Sequence, residues 1–170
     1  MTKVINFYAG PGAGKSSTAS DLFAFMKWKG ESVELVQEFA KDLTWDEHFD
    51  ILADQLWVSA NQNRRMQRLV GKVDYIITDS PLIMCQVYAE EYFPTFLPMI
   101  AEIHNHYENI DVFLERKKPY VAKGRSQSEE AARLIDGKVH AMMNGKFDLF
   151  VEGDPEAKYT IYNHIKKFEE

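Results

Sequence analysis

The run Ala9-Gly10-Pro11-Gly12-Ala13-Gly14-Lys15-Ser16 constrains this chain more than any other stretch. It follows a β-rich segment, Val4-Ile5-Asn6-Phe7-Tyr8. It leads into apolar residues at helical spacing, Ala19, Leu22, Phe23 and Met26, with Gly30 as a stop. Glycines at 10, 12 and 14 let the backbone approach an anion closely, so that successive N–H groups can converge on it. A helix starting near Lys15 aims its positive end at the same point. Strand, glycine loop and helix in this order are the context a phosphate-binding P-loop requires. The ligand this implies is ATP, with Lys15 reaching the β- and γ-phosphate oxygens and the Ser16 hydroxyl ligating Mg²⁺. Ala9 stands where the strict pattern has glycine, and alanine is small enough for the departure to be minor. The expected nucleotide-binding set is Gly10, Pro11, Gly12, Ala13, Gly14, Lys15, Ser16 and Ser17, with Arg116 added from further along the chain.

Strand and helix patterns alternate after the loop. Ser32 to Val36 reads as a strand. About Trp45 to Val70 reads as one long helix with Phe49, Leu52, Ala53, Leu56 and Ala60 on one face. Val73 to Thr78 is a continuous apolar run stopped by Asp79, as in a strand buried on both faces. A helical stretch from about Met84 to Tyr107 is expected to bend or break at Pro94 and Pro98. Ile110 to Leu114 is a strand, and the polar segment 117–127, with Pro119 and Gly124, reads as a lid-like loop. Ala131, Leu134, Ile135, Val139 and Met142 mark another helix. Phe147 to Val151 is the last strand, and Asp154-Pro155 opens a closing helix carrying Ile161, Tyr162, Ile165 and Phe168. Such alternation implies right-handed βαβ crossovers. The expected fold is α/β: a three-layer P-loop NTPase fold with a five-stranded parallel sheet and a lid, in a single domain over 1–170.

Composition narrows the partners. A net charge of −6 argues against general nucleic-acid binding, which rests on clustered Lys and Arg, although it leaves room for a local basic groove. The single cysteine, Cys85, sits among Met84, Val87 and Tyr88 and reads as a buried thiol. No run approaches the roughly eighteen apolar residues of a membrane span, and no signal peptide opens the chain, so no membrane partner and a cytoplasmic location are expected. His104 and His106 lie two apart, a spacing that suits a strand pair better than a helix, and no zinc site is assigned.

Two carboxylates end strand-like runs. Asp79 matches the acidic position that holds Mg²⁺ through water or orients an attacking hydroxyl, and Asp79-Ser80-Pro81 would also suit a helix N-cap, a role that can coexist with the first. Glu38 closes the second strand and would face the same crevice, since ligands of parallel sheets bind beyond the carboxyl ends of the strands. Either could act as the base, with Asp79 leaning to the metal and Glu38 to the acceptor. Arg116 and Arg125 frame segment 117–127, where Arg125 suits charge stabilisation on a transferring phosphoryl group. The expected catalytic set is Lys15, Glu38, Asp79 and Arg125, and the metal set is Ser16 and Asp79. Arg64 and Arg65 could meet an anionic acceptor or lie on a solvated helix face, and Arg68 reads as part of such a face.

With these residues together, the chain resembles the nicotinamide-riboside-kinase-like branch of P-loop kinases. The resemblance runs through Gly10 to Ser17, Glu38-Phe39-Ala40, Thr78-Asp79-Ser80-Pro81 and Gly124-Arg125-Ser126-Gln127. It also touches thymidylate kinases and the phage kinases that phosphorylate 5-hydroxymethyluracil within DNA. The Asp-Arg pair of thymidylate kinases is absent, because Glu38 is followed by Phe39. The resemblance implies an ATP- and Mg²⁺-dependent transfer to a hydroxyl of a nucleoside-like acceptor. Hydroxymethylated phage DNA ranks first and a free nucleoside, nicotinamide riboside or nucleoside monophosphate next, with a non-kinase P-loop ATPase or switch as the other class. Arg64, Arg65, Arg68, Lys117, Lys118, Lys123 and Arg125 would have to form the basic groove that DNA requires.

Overall fold

A computed structural model describes residues 1–89, 92–117, 119–121 and 128–167. Among them five strands form one sheet: β1 Lys3–Tyr8, β2 Val33–Val36, β3 Tyr75–Thr78, β4 Glu108–Glu115 and β5 Leu149–Glu152. The order is β2-β3-β1-β4-β5, and every neighbouring pair is parallel. The helices are α1 Lys15–Trp28, α2 Phe39–Trp45, α3 Phe49–Ala53, α4 Gln55–Gln67, α5 Cys85–Tyr88, α6 Phe96–Asn105, α7 Glu129–Met142 and α8 Ala157–Lys167, with a 3₁₀ turn at Leu82–Met84 before α5.

Strand alternation sorts the core into two layers. Ile5 and Phe7 of β1, with Ile77, Val112 and Val151, pack against Leu22 and Met26 of α1 and Ile161 and Ile165 of α8. Val4 and Ile76 point the other way, onto Met66 of α4 and Ile103 of α6. Tyr8, on that second face, packs on Val139 and Ile135 of α7. Both faces of the sheet are covered, which explains why β3 reads as four buried residues in succession. The three-layer, five-stranded parallel fold is the one expected.

Register sets the site. Asn6 lies beside Thr78 and Val36 beside Thr78, so β1, β2 and β3 deliver the glycine loop, Glu38 and Asp79 to one edge of the sheet.

Three expectations change. The single helix over 45–70 is two, α3 and α4: Glu47, after the end of α2, takes a left-handed φ of 57°, and Asp54 caps α4 by accepting from the Trp57 N–H at 3.0 Å. The supposed core face was misassigned as a result. Phe49 is 55% and Leu56 43% exposed, while Gln55, Val58, Ser59, Gln62 and Met66 are buried. The stretch from 84 to 107 breaks around Pro94 as expected, but Pro98 falls in the first turn of α6, where a missing N–H removes no helical bond. His104 and His106 belong to the end of α6 rather than to a strand. Among the described residues no cluster of three or more His, Cys, Asp or Glu could hold a metal, and no helix is long and apolar enough to cross a membrane.

Candidate functional site

The loop between β1 and α1 is shaped by its own glycines and pinned from outside. Gly12 and Gly14 have φ of 79° and 112°, which a side chain would resist. The Lys15 ammonium folds back inside the loop, donating to the carbonyls of Ala9 at 2.7 Å and Gly10 at 3.2 Å. Burial pulls the Lys15 pKa below the ordinary lysine value, and the carboxylates of Glu38, Asp79 and Asp136 oppose that pull, in that order. Three acids around one lysine mark the electrostatic centre of the site.

Asp79 emerges from β3 buried, and its Oδ1 accepts the backbone N–H of Glu38 at 3.0 Å. The next N–H, that of Phe39, donates to Gln62 Oε1 at 3.0 Å, and Gln62 Nε2 reaches Thr78 Oγ1 at 3.4 Å. The first donors of α2 are therefore satisfied by Asp79 and Gln62, not by a side-chain cap from Glu38. Asp79 does not serve as the N-cap of the turn that follows it: Pro81 holds that position and no side chain caps it. Gln62 was not foreseen, although it lies on the buried stripe of α4 with Gln55, Ser59 and Met66, where an amide needs a partner.

Arg116 leaves the end of β4 and turns onto the loop. Its Nη1 donates to the Pro11 carbonyl at 2.9 Å, while Nε and Nη2 form a fork on the Asp136 carboxylate, at 3.1 and 3.0 Å to Oδ2. Asp136 Oδ1 accepts in turn from the Gly10 N–H. The pair is enclosed, with side-chain exposures of 6% for Arg116 and 22% for Asp136. All three guanidinium nitrogens thus donate to protein acceptors at the cradle. A Cβ on Gly10 would overlap the Ala132 carbonyl, and one on Gly12 would strike the Tyr120 ring. Tyr88, at the end of α5, has its hydroxyl pKa raised first by the protein around it and next by Glu38. Neither Tyr88 nor Asp136 was singled out in the sequence. Asp136 shares a stripe of α7 with buried Ala132 and Val139, an unusual place for a carboxylate and the signal that would have found it.

The other expected basic residues are dispersed. Arg65 pairs with Asp42 at 2.6 Å and covers the Phe39 ring, with its guanidinium carbon 4.8 Å from the centroid. Arg68 donates to the Arg65 carbonyl at 3.3 Å, and Lys117 pairs with Glu152 at 2.7 Å. Arg125, with Lys118, Lys123, Gly124, Ser126 and Gln127, lies outside the described residues. Cys85 is a buried free thiol, as expected.

A glycine-rich phosphate cradle at the edge of a five-stranded parallel sheet, flanked by two strand-end carboxylates, defines a P-loop fold. A family model described as an AAA domain matches residues 4–151, and the chain belongs to that family. Among solved structures, deoxyadenosine kinase from M. mycoides with bound dATP is similar, with a TM-score of 0.56 at 16% identity. The match covers 98% of this chain and 100% of that one, a likeness of fold. No curated protein matches in sequence.

Proposed function

We propose that the chain is an ATP-dependent kinase that transfers the γ-phosphate to a hydroxyl of a nucleoside-like acceptor. The observation that carries this reading is the juxtaposition of the cradle with Asp79 and Glu38. Register brings the three to one edge, and a hydrogen bond from the Glu38 backbone to Asp79 couples the two acids. Phosphoryl transfer needs positioning and charge neutralisation above all. Lys15 would turn from the loop carbonyls to the phosphate oxygens. Glu38, whose side chain does not cap α2, would orient the acceptor hydroxyl and receive its proton. Arg125, read from sequence alone, is the candidate for charge on the transferring group.

Mg²⁺ fits the donor set, since the Ser16 hydroxyl and the Asp79 carboxylate are hard oxygen ligands. Two such ligands make no cage, which agrees with the lack of a metal cluster among the described residues: the ion would arrive with the phosphates and neutralise their charge.

For the acceptor, a free nucleoside now stands ahead of hydroxymethylated DNA. Arg65 and Lys117, two members of the basic groove that DNA would require, are each paired with a carboxylate, and the net charge is −6. The fold shared with a deoxyadenosine kinase supports the same order. The test is transfer of labelled γ-phosphate from ATP to a panel of nucleosides, nicotinamide riboside, nucleoside monophosphates, and plain or 5-hydroxymethyluracil DNA. Label on a small acceptor is the expected result. Label on the modified DNA alone would reverse the ranking. ADP release that needs no acceptor and rises with a protein partner would replace the kinase by a nucleotide-driven switch, a role that membership of the AAA domain family also accommodates.

A further inference from the structure

From the contacts around Arg116 we infer that Asp136 is a positioning residue. It holds the first half of the glycine loop in its binding shape, so that the second half is ready to receive the phosphates. The inference rests on the nucleotide-binding part of the proposed function and not on the identity of the acceptor.

The loop divides into two stretches by where its polar groups go. In the first, four groups meet side chains. The Ala9 and Gly10 carbonyls take the Lys15 ammonium, the Gly10 N–H takes Asp136 Oδ1, and the Pro11 carbonyl takes Arg116 Nη1. In the second, the N–H groups of Gly12, Ala13 and Gly14 donate to no acceptor among the described residues, and these precede the start of α1. Such convergent donors are what an anion requires, and their direction depends on the loop not relaxing. Asp136 acts at both anchor points, directly on Gly10 and through Arg116 on Pro11. The fit leaves little slack, since a Cβ on Gly10 would lie 2.9 Å from the same Asp136 oxygen and overlap the α7 backbone.

A carboxylate beside a phosphate site would ordinarily repel the ligand. Here it is forked by Arg116, whose positive charge lies as close to the loop as the negative one, so the pair exerts a small net field while its hydrogen bonds fix two peptide groups on either side of the Gly10–Pro11 peptide. Geometry and electrostatics therefore make opposite predictions for the loss of Asp136. Bracing requires weaker nucleotide binding, and simple repulsion requires tighter binding.

The experiment measures Mg-ATP binding without any acceptor, by calorimetry, for the wild type, Asp136→Asn, Asp136→Ala and Arg116→Lys, alongside melting of each ligand-free protein. Asparagine keeps an oxygen for the Gly10 N–H and for one arm of the Arg116 fork, whereas alanine keeps neither. The expected result is a tenfold or greater loss of affinity for Asp136→Ala at a temperature where it is fully folded, with Asp136→Asn within about threefold of wild type. Arg116→Lys, which cannot span Asp136 and Pro11 together, is expected to fall between them. If Asp136→Ala does not fold, the comparison of Arg116→Lys with Asp136→Asn decides, and unchanged binding by Arg116→Lys would overturn the inference. Wild-type affinity in folded Asp136→Ala, or tighter binding by both Asp136 variants, would overturn it as well. Wild type that binds Mg-ATP but labels no acceptor would count against the kinase reading and leave this inference standing. Wild type that binds no nucleotide would remove its basis.

Discussion

Asp79 Oδ1 accepts the backbone N–H of Glu38 at 3.0 Å, so the carboxylate just past β3 holds in place a residue two beyond the end of β2. One oxygen of Asp79 is thus committed to positioning Glu38, and in the proposed function the other would face a metal-bound water. The two duties separate by substitution. Asp79→Asn keeps an acceptor for the Glu38 N–H but loses the charge, and Asp79→Ala loses both. The bond that asparagine keeps and alanine loses is uncharged and worth about 0.5–1.5 kcal/mol. Both variants are therefore expected to lose turnover and to need more Mg²⁺, and Asp79→Ala should fall up to roughly a further tenfold below Asp79→Asn. Initial rates across a Mg²⁺ titration check this. Equal rates for the two variants would show that the Glu38 contact has no part in turnover.

Lys15 occupies the loop's own carbonyls in this structure, at 2.7 and 3.2 Å, which makes it a loop strut in addition to its proposed part as a phosphate ligand. Its burial depresses its pKa, a cost that nearby carboxylates and an arriving triphosphate both offset. Lys15→Ala is expected to abolish phosphoryl transfer while circular dichroism and cooperative melting persist. Retained transfer at saturating Mg-ATP would remove Lys15 from the mechanism.

The fold was legible because its signals are local. The glycine loop, the apolar run ending at Asp79 and the alternation of periods each depend on a few neighbouring residues, and together they imply a parallel sheet and one crevice. The region between β2 and β3 was misread for a physical reason. Phe49, Leu52, Ala53 and Leu56 have helical spacing, but a positive φ at Glu47 and the Asp54 cap restart the helix twice. The stripe that packs is then the one through Val58, Gln62 and Met66. Gln62 and Asp136 escaped notice because polar residues on buried stripes acquire meaning only from partners distant in sequence. Gln62 meets Phe39 and Thr78, and Asp136 meets Gly10 and Arg116. The expected DNA-binding groove shows the converse. A list of Arg and Lys residues carries no information on pairing, and Asp42 and Glu152 neutralise two of them.

Cys85 begins α5 and packs with Ala89, Phe96 and Ile100, where burial pushes its thiol pKa up to about 12. The thiolate is the reactive species, and almost none of it exists at neutral pH in this setting. The native protein is expected to react with a thiol reagent such as dithionitrobenzoate only as fast as it opens, and immediately in denaturant. Rapid labelling of folded protein would mean an accessible, activated thiol and would reopen a chemical role for Cys85.

His104 supplies a pH dependence of stability. It is 3% exposed on α6, its Nε2 lies 3.4 Å from the Tyr8 hydroxyl, and its Nδ1 has no partner among the described residues. Desolvation lowers its pKa from 6.5 to about 4. Between those values the unfolded chain binds a proton that the folded chain does not, so stability rises with pH across the window. It is fully present above about 6.5 and is lost as the pH falls toward 4. A difference of this size corresponds to about 3 kcal/mol. Asp111, which accepts from Tyr8 at 3.1 Å, works in the opposite sense. Desolvation, with help from Asp148, raises its pKa from 3.8, so its contribution diminishes as pH rises from there. The two effects can be told apart with His104→Gln, which cannot titrate. Denaturant melts at pH 7, 6, 5 and 4.5 are expected to show the wild type losing stability steadily, with the variant losing much less. Parallel curves for the two proteins would mean that His104 is protonated in the fold and that the acid sensitivity lies elsewhere.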